Sequence, residues 1–169
     1  MNYKKINQDV IKAIFDGTKW GNHFVGYWVT EELLFFTFDG FIGYILPKDK
    51  IAFDLSYMQT APKALFNLER MYETGGEIRA TKTYVSDRYG MRMLRRFKGE
   101  RDGVSWNVYI DEKYMKPVAK EDELIFTQEF DSKAFMNKKP VLISKKVNGD
   151  KIPLVFICPV AVYDESEFD

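Results

Sequence analysis

Cysteine and histidine are almost absent from this chain, which contains one of each, Cys158 and His23. This scarcity excludes an intramolecular disulfide and a zinc site built from several Cys and His ligands. Cys158 lies inside the apolar run 154–162, which we interpret as a buried strand, so we expect an inert core thiol there. We therefore predict no metal site and no cofactor.

Long apolar runs and net charge are also missing. The longest apolar stretches, 33–38 and 154–162, are far shorter than the roughly 20 residues of a membrane helix, and residues 1–9 contain no apolar signal core. Lys and Arg together number 25, as do Asp and Glu, so no global positive field favours nonspecific coating of nucleic acid. We expect a cytoplasmic protein without membrane contact, in which any DNA contact comes from a local patch.

Aromatic residues are abundant. They make up 16% of the 169 residues, which argues strongly against a disordered chain, and the hydrophobic fraction of 46% is ordinary for a globular protein. The length suffices for one full hydrophobic core, and no repeat or low-complexity linker marks a boundary. We predict one α+β domain over residues 1–163, with antiparallel sheets and two main helices, followed by a frayed acidic tail at 164–169.

Two helices and a series of strands follow from local patterns. The first helix is predicted to begin at a capping Asn7 and end at Gly17, and the second to run from Thr60 to Gly75. A further short helix is predicted at 111–118. The predicted strands are 24–30, 33–38, 41–46, 78–85, 91–97, 104–110, 123–130, 141–147 and 151–162, with 91–97 alternatively an extended arm.

Turn residues connect several of these strands. Asp39-Gly40 and Asn148-Gly149 each lie between apolar runs and predict hairpin turns, because a type I′ turn requires positive φ at both central residues. Pro153 and Pro159 predict edges or bulges in the last strand.

Enzyme motifs are missing from the sequence. It contains no phosphate-binding loop, no dinucleotide fingerprint and no nucleophile elbow. Acidic clusters such as 121–123 lie beside predicted element ends, where carboxylates are normally solvated. We therefore predict a protein that is not an enzyme, and keep a divalent-metal nuclease using Asp54 and Glu77 as an alternative.

The segment 88–101 is the most informative charged stretch. Arginines interleaved with aromatic residues suit phosphate contact and stacking, although a solvent-facing strand pair whose arginines meet nearby acids explains the pattern equally well. The binding interpretation predicts that Arg92, Arg95 and Arg96 lie on one exposed face. The candidate residues for nucleic acid or an acidic partner are Arg88, Tyr89, Arg92, Arg95, Arg96, Lys98 and Arg101.

Three segments resemble one domain of the bacterial DNA sliding clamp family, the β subunit of DNA polymerase III. They are LLFFTFDGFIGYIL at 33–46, NVYIDEKYMKPVAKEDELIFTQEF at 107–130 and KPVLISKKVNGDKIPLVFICPVAVY at 139–163, together 63 of the 169 residues. The resemblance implies two helices against curved antiparallel sheets, with 60–101 as an insertion. It also implies a groove that captures short peptides, formed by Gly40, Phe41, Ile42, Val160 and Val162. The family has His-Arg after its Asp-Gly, whereas this chain has Phe41-Ile42, so the groove would be more apolar or would be used differently.

Together these features predict a non-enzymatic binding protein of bacterial or phage DNA metabolism. It would act through a protein partner, with DNA as a second candidate partner. A phage or mobile-element inhibitor of a host nuclease or defence complex is the alternative among interaction proteins. The oligomeric state stays open.

Overall fold

The structure is a computed structural model, and it describes residues 1–15, 26–29, 32–37, 42–57, 59–60, 75–86, 93–118, 123–130 and 139–162. Several predictions fall outside these ranges: the helix end at Gly17, the Asp39-Gly40 turn, nearly all of the second main helix, the acidic tail, and the site residues Gly40, Phe41, Arg88, Tyr89 and Arg92.

The described residues form two α-helices and ten strands in one sheet. The helices are α1 (Tyr3–Phe15) and α2 (Glu112–Met115), and short 3₁₀ turns span Lys48–Lys50 and Leu55–Tyr57. The strands are β1 (Gly26–Val29), β2 (Leu33–Thr37), β3 (Ile42–Pro47), β4 (Gln59–Thr60), β5 (Gly75–Ser86), β6 (Met93–Arg101), β7 (Val104–Asp111), β8 (Leu124–Glu129), β9 (Val141–Val147) and β10 (Asp150–Ile157).

The strands lie in the order β4-β1-β2-β3-β10-β9-β8-β5-β6-β7. Neighbouring strands pair antiparallel except β1 and β4, which pair parallel. The α+β prediction is confirmed, although sheet predominates and the described strands join into one sheet instead of several. The clamp-like form of the fold stays a prediction. None of the described helices is long and apolar enough to cross a membrane.

Hairpin turns fix two strand pairs. Asn148 and Gly149 have φ of 52° and 97° and join β9 to β10, as predicted. Asp102 and Gly103 have φ of 51° and 76° and join β6 to β7, a turn that the Asp-Gly pair could have predicted. The register shifts between Pro153 and Val155, which confirms the predicted irregularity at Pro153.

The main core lies on one face of the sheet. Ile6 and Val10 of α1 and Met115 of α2 pack there against every second residue of the strands, including Ile42 and Phe97. The other face is also buried at Phe35, Ile45, Leu142, Phe156, Leu94 and Tyr109. Both faces of the sheet therefore exclude water over much of their area.

Asn7 is not a helix cap, contrary to the prediction. The backbone N–H of Lys5 donates to Asn2 Oδ1 at 3.1 Å, so Asn2 caps α1. Asn7 is buried inside the helix, where its Nδ2 donates to Tyr3 O and Lys50 O at 2.8 and 2.9 Å. Its Oδ1 accepts from the backbone N–H of Ala52 at 2.8 Å. Asn7 therefore joins α1 to the segment after β3.

Cys158 forms no disulfide and is half-buried. It follows β10, which ends at Ile157, so the expectation of a thiol inside a buried strand is wrong. The fully buried part of this segment is 154–157.

Candidate functional site

Arg95 and Arg96 do not share one exposed face, so that prediction is wrong for these two residues. They are consecutive in β6, and successive side chains of a strand point to opposite faces. Arg95 lies opposite Ile110 on the core face, and Arg96 lies opposite Tyr109 on the other face. Both are half-buried.

Two of the predicted arginines contact nearby groups of the protein itself. Arg95 Nε lies 2.6 Å from Glu112 Oε1, and both side chains are about 30% exposed or less. This ion pair joins β6 to α2. The guanidinium of Arg101 lies 5.6 Å from the centre of the Phe130 ring, and its Nε lies 3.7 Å from Asp102 Oδ2. Arg95 therefore meets a neighbouring acid, as the alternative predicts, but on the core face and not on a solvent-facing one.

Lys98, a predicted binding residue, forms a cationic pair with Arg79, which the sequence analysis did not single out. They lie directly opposite each other in the β5–β6 ladder, and both are exposed. Their chain neighbours Ile78 and Phe97 are buried in the main core, so Arg79 and Lys98 project from the other face. Within the described part of the chain, neither side chain forms a hydrogen bond or an ion pair. We call these two side chains, together with Arg96 on the same face, the cationic face.

The neighbours of the cationic face include residues of β7 and two acidic residues. Asn107 of β7 lies opposite Lys98, and Tyr109 lies opposite Arg96. Glu100 is two residues along β6 from Lys98 and therefore lies on the same face. Glu77 is two residues along β5 from Arg79, but its Oε1 is held 3.0 Å from Lys151 Nζ. Among the described residues, Glu77 and Glu100 therefore bound the positive charge at one end of the β5–β6 surface.

Three of the predicted groove residues, Ile42, Val160 and Val162, lie in the described part of the chain, and they do not come together. Ile42 is buried in the main core, opposite Ile157 of β10. Val160 and Val162 pack against Leu94 and Tyr109, which belong to the opposite face of the sheet. The structure thus brings Val160 and Val162 together and separates them from Ile42.

Strand β7 lies at the end of the strand order, next to the segment that contains Val160. The backbone N–H of Val160 donates to Tyr109 O at 2.8 Å in an antiparallel bridge. Because pairing groups alternate along a strand, Ser105 and Asn107 direct their N–H and C=O groups to the same outer edge as Tyr109. Ser105 is exposed, and its backbone has no hydrogen-bond partner on that edge in the described part of the chain.

The two carboxylates of the nuclease alternative lie apart. Asp54 Oδ1 accepts the backbone N–H of Ser56 at 2.8 Å, and this hydrogen bond lowers the pKa of Asp54. Its neighbours Phe53 and Leu55 pack on the core face, whereas Glu77 projects from the opposite face and pairs with Lys151. Among the described residues, no group of three or more His, Cys, Asp or Glu side chains could hold a metal ion.

Comparison of the chain with protein-family models, with curated proteins and with solved structures finds no match. The resemblance to sliding clamps therefore stays a prediction, and what the chain binds is inferred from its own geometry.

Proposed function

We propose that this chain is a non-enzymatic binding protein of bacterial or phage DNA metabolism, which contacts the phosphate backbone of DNA through its cationic face. One observation carries the proposal: Arg79 and Lys98 are exposed, directly opposed and without a partner in the described residues. Like charges directly opposite in a ladder destabilise a sheet, at a cost of about 0.2–1 kcal/mol. A bound anion would turn that repulsion into two attractions.

The two side chains suit a phosphate ligand. The guanidinium of Arg79 can bind phosphate oxygens with two parallel hydrogen bonds, and the ammonium of Lys98 supplies a compact charge. Opposed residues in an antiparallel ladder have Cβ atoms about 5 Å apart, so both side chains can reach one phosphate group or two neighbouring ones. A local patch of this size is compatible with a net charge of zero. The setting in DNA metabolism depends on the clamp resemblance.

The edge of β7 supports the protein contact in the same proposal. The bridge between Val160 and Tyr109 is an extended segment already seated antiparallel on this edge. Ser105 offers a further N–H and C=O pair, and Val104 beside it is exposed. An extended segment of a partner could add to the sheet there through main-chain hydrogen bonds. A phage or mobile-element inhibitor would use this same edge to bind its target.

Fluorescence anisotropy with labelled duplex and single-stranded DNA tests the DNA contact. The variant Arg79→Gln/Lys98→Gln should bind at least about tenfold more weakly than the wild type, because it loses two charged contacts to phosphate. The matched control is Lys4→Gln/Lys116→Gln, which removes the same charge from exposed positions on the helix side of the sheet.

Two results would contradict this assignment. If the wild type binds no DNA at low salt, the ligand is not DNA, and an acidic protein surface becomes the next candidate. If the control weakens binding as much as the test variant, net charge and not the cationic face is responsible. We also expect DNA to stay intact when incubated with the protein and Mg²⁺ or Mn²⁺, and cleavage abolished by Asp54→Ala would instead support the nuclease.

A further inference from the structure

We infer that the DNA-contacting surface extends across the sheet to a second pair of opposed cations, Lys146 and Lys151 of the β9–β10 hairpin. This inference rests on the proposed function and deepens it, because the ligand becomes a stretch of DNA backbone with several phosphates. Lys146 and Lys151 lie directly opposite each other, as Arg79 and Lys98 do, and both are exposed. We call Lys146 and Lys151 the hairpin pair.

The hairpin pair projects from the same face of the sheet as Arg79 and Lys98. Ile143 of β9 belongs to the main core, and Lys146 lies three residues further along the strand, so Lys146 points to the other face. Lys151 shares that face with Lys146, because opposed residues of a ladder project together. All four cations therefore lie on the face opposite the main core.

The strand registers limit the distance between the two pairs. Phe126 of β8 lies opposite both Ile78 of β5 and Ile143 of β9. Arg79 is therefore two strands away from β9, and level with the residue two positions before Lys146. On a flat sheet with strands about 4.8 Å apart, the Cα atoms of Arg79 and Lys146 would lie roughly 12 Å apart.

An ion pair shows that the hairpin pair comes close to the cationic face. Lys151 Nζ lies 3.0 Å from Glu77 Oε1, and Glu77 is two residues from Arg79 in β5. Strands β9 and β8 lie between β10 and β5, so on a flat sheet the Cα atoms of Lys151 and Glu77 would be roughly 20 Å apart. The two side chains cannot span that distance. The sheet therefore curves toward this face and brings the ammonium group of Lys151 beside the cationic face.

The hairpin pair is accessible to an anionic ligand. The side chains of Lys151 and Glu77 are 36% and 52% exposed, and an ion pair this exposed is weak because solvent screens it. A phosphate can therefore replace Glu77 as the partner of Lys151. Within the described part of the chain, the side chain of Lys146 forms no hydrogen bond or ion pair.

The span of the two pairs fits a run of DNA backbone. Each strand of duplex DNA carries one phosphate per 3.4 Å of helix axis, so a span of about 12 Å corresponds to three or four phosphates. One DNA backbone can thus contact both pairs at once.

Fluorescence anisotropy with duplex DNA at several salt concentrations tests this extension. The variant Lys146→Gln/Lys151→Gln should bind at least about tenfold more weakly than the wild type, because two charged contacts to phosphate are lost. Its slope of log affinity against log salt should be shallower by about 1.8. The control Lys4→Gln/Lys116→Gln removes the same charge from the helix side of the sheet and should keep the slope of the wild type.

Two further variants separate charge from structure. Lys146→Arg/Lys151→Arg keeps both charges and should bind within about threefold of the wild type. Glu77→Gln breaks the ion pair with Lys151 but keeps the cation, so it should not weaken binding. If Glu77→Gln weakens binding as much as Lys146→Gln/Lys151→Gln, the ion pair and not the hairpin pair is responsible, and the inference is wrong.

The two pairs fail separately. If Arg79→Gln/Lys98→Gln makes the slope shallower and Lys146→Gln/Lys151→Gln does not, the inference is wrong and the proposed function stands. If only the hairpin variant makes the slope shallower, DNA contacts the hairpin pair and the proposed contact at Arg79 and Lys98 is wrong.

Discussion

Asn7 shows how one buried polar side chain can organise a connection. Its amide makes three hydrogen bonds, one to α1 itself and two to the backbone of residues 50 and 52. Buried polar groups are tolerated when all their hydrogen-bonding capacity is used, and removal of one partner leaves the others unsatisfied. Asn7 therefore holds the segment after β3 against the first helix.

We predict that Asn7→Ala lowers the free energy of unfolding by about 2–4 kcal/mol, because Lys50 O and Ala52 N lose their partner. Urea denaturation measures the change. The control Asp9→Ala removes only an exposed pair with Lys5 at 3.2 Å and should cost less than about 0.5 kcal/mol. Equal effects of the two substitutions would show that Asn7 does not hold this connection.

Gly43 is required by the side chain on the neighbouring strand. It lies opposite Phe156, whose ring occupies the space that a Cβ at Gly43 would need. We predict that Gly43→Ala costs about 1–3 kcal/mol from overpacking. Gly76→Ala is the control, because its Cβ would meet Trp106 at an ordinary 3.7 Å. A Gly43→Ala protein as stable as the control would refute this packing.

At the scale of elements, the sequence predicts where the strands lie better than it predicts which strands pair with each other. Alternation and turn residues predict β1–β3, β5–β10 and the short helix α2, because these signals are local. Register and strand order depend on contacts between distant residues, so the opposition of Arg79 and Lys98 could not be predicted. Arg95 and Arg96 are a different case. Once 91–97 is taken as a strand, the two must point to opposite faces.

The outer edge of β7 gives a prediction at this scale. We expect Ser105→Pro to leave the protein folded with little loss of stability, because the N–H of Ser105 points away from β6. Val104→Pro should be clearly less stable, since the N–H of Val104 pairs with Arg101 across the turn. Both side chains are exposed, so neither substitution removes a core contact. A difference in thermal unfolding between the two variants therefore reports the loss of the backbone N–H. The reverse order of stability would contradict the assigned outer edge.

At the scale of the molecule, side chains alternate between the two faces of the sheet along β5 and β6. This alternation places charged residues on one face and core residues on the other. Ile78 and Phe97 bury one face of β5 and β6, and that burial makes Arg79 and Lys98 project together from the other. The chain carries no net charge, so any affinity for DNA must come from such a local arrangement. When affinity for DNA comes from contacts to phosphate, it falls as the salt concentration rises. The steepness of this fall is proportional to the number of phosphates contacted.

The dependence of DNA affinity on salt concentration tests the central claim most directly. For duplex DNA, each phosphate contact contributes a slope of about −0.9 to a plot of log affinity against log salt. If Arg79 and Lys98 contact two phosphates, the slope of the wild type should be steeper than that of Arg79→Gln/Lys98→Gln by about 1.8. Equal slopes in the two proteins would show that the cationic face does not contact DNA.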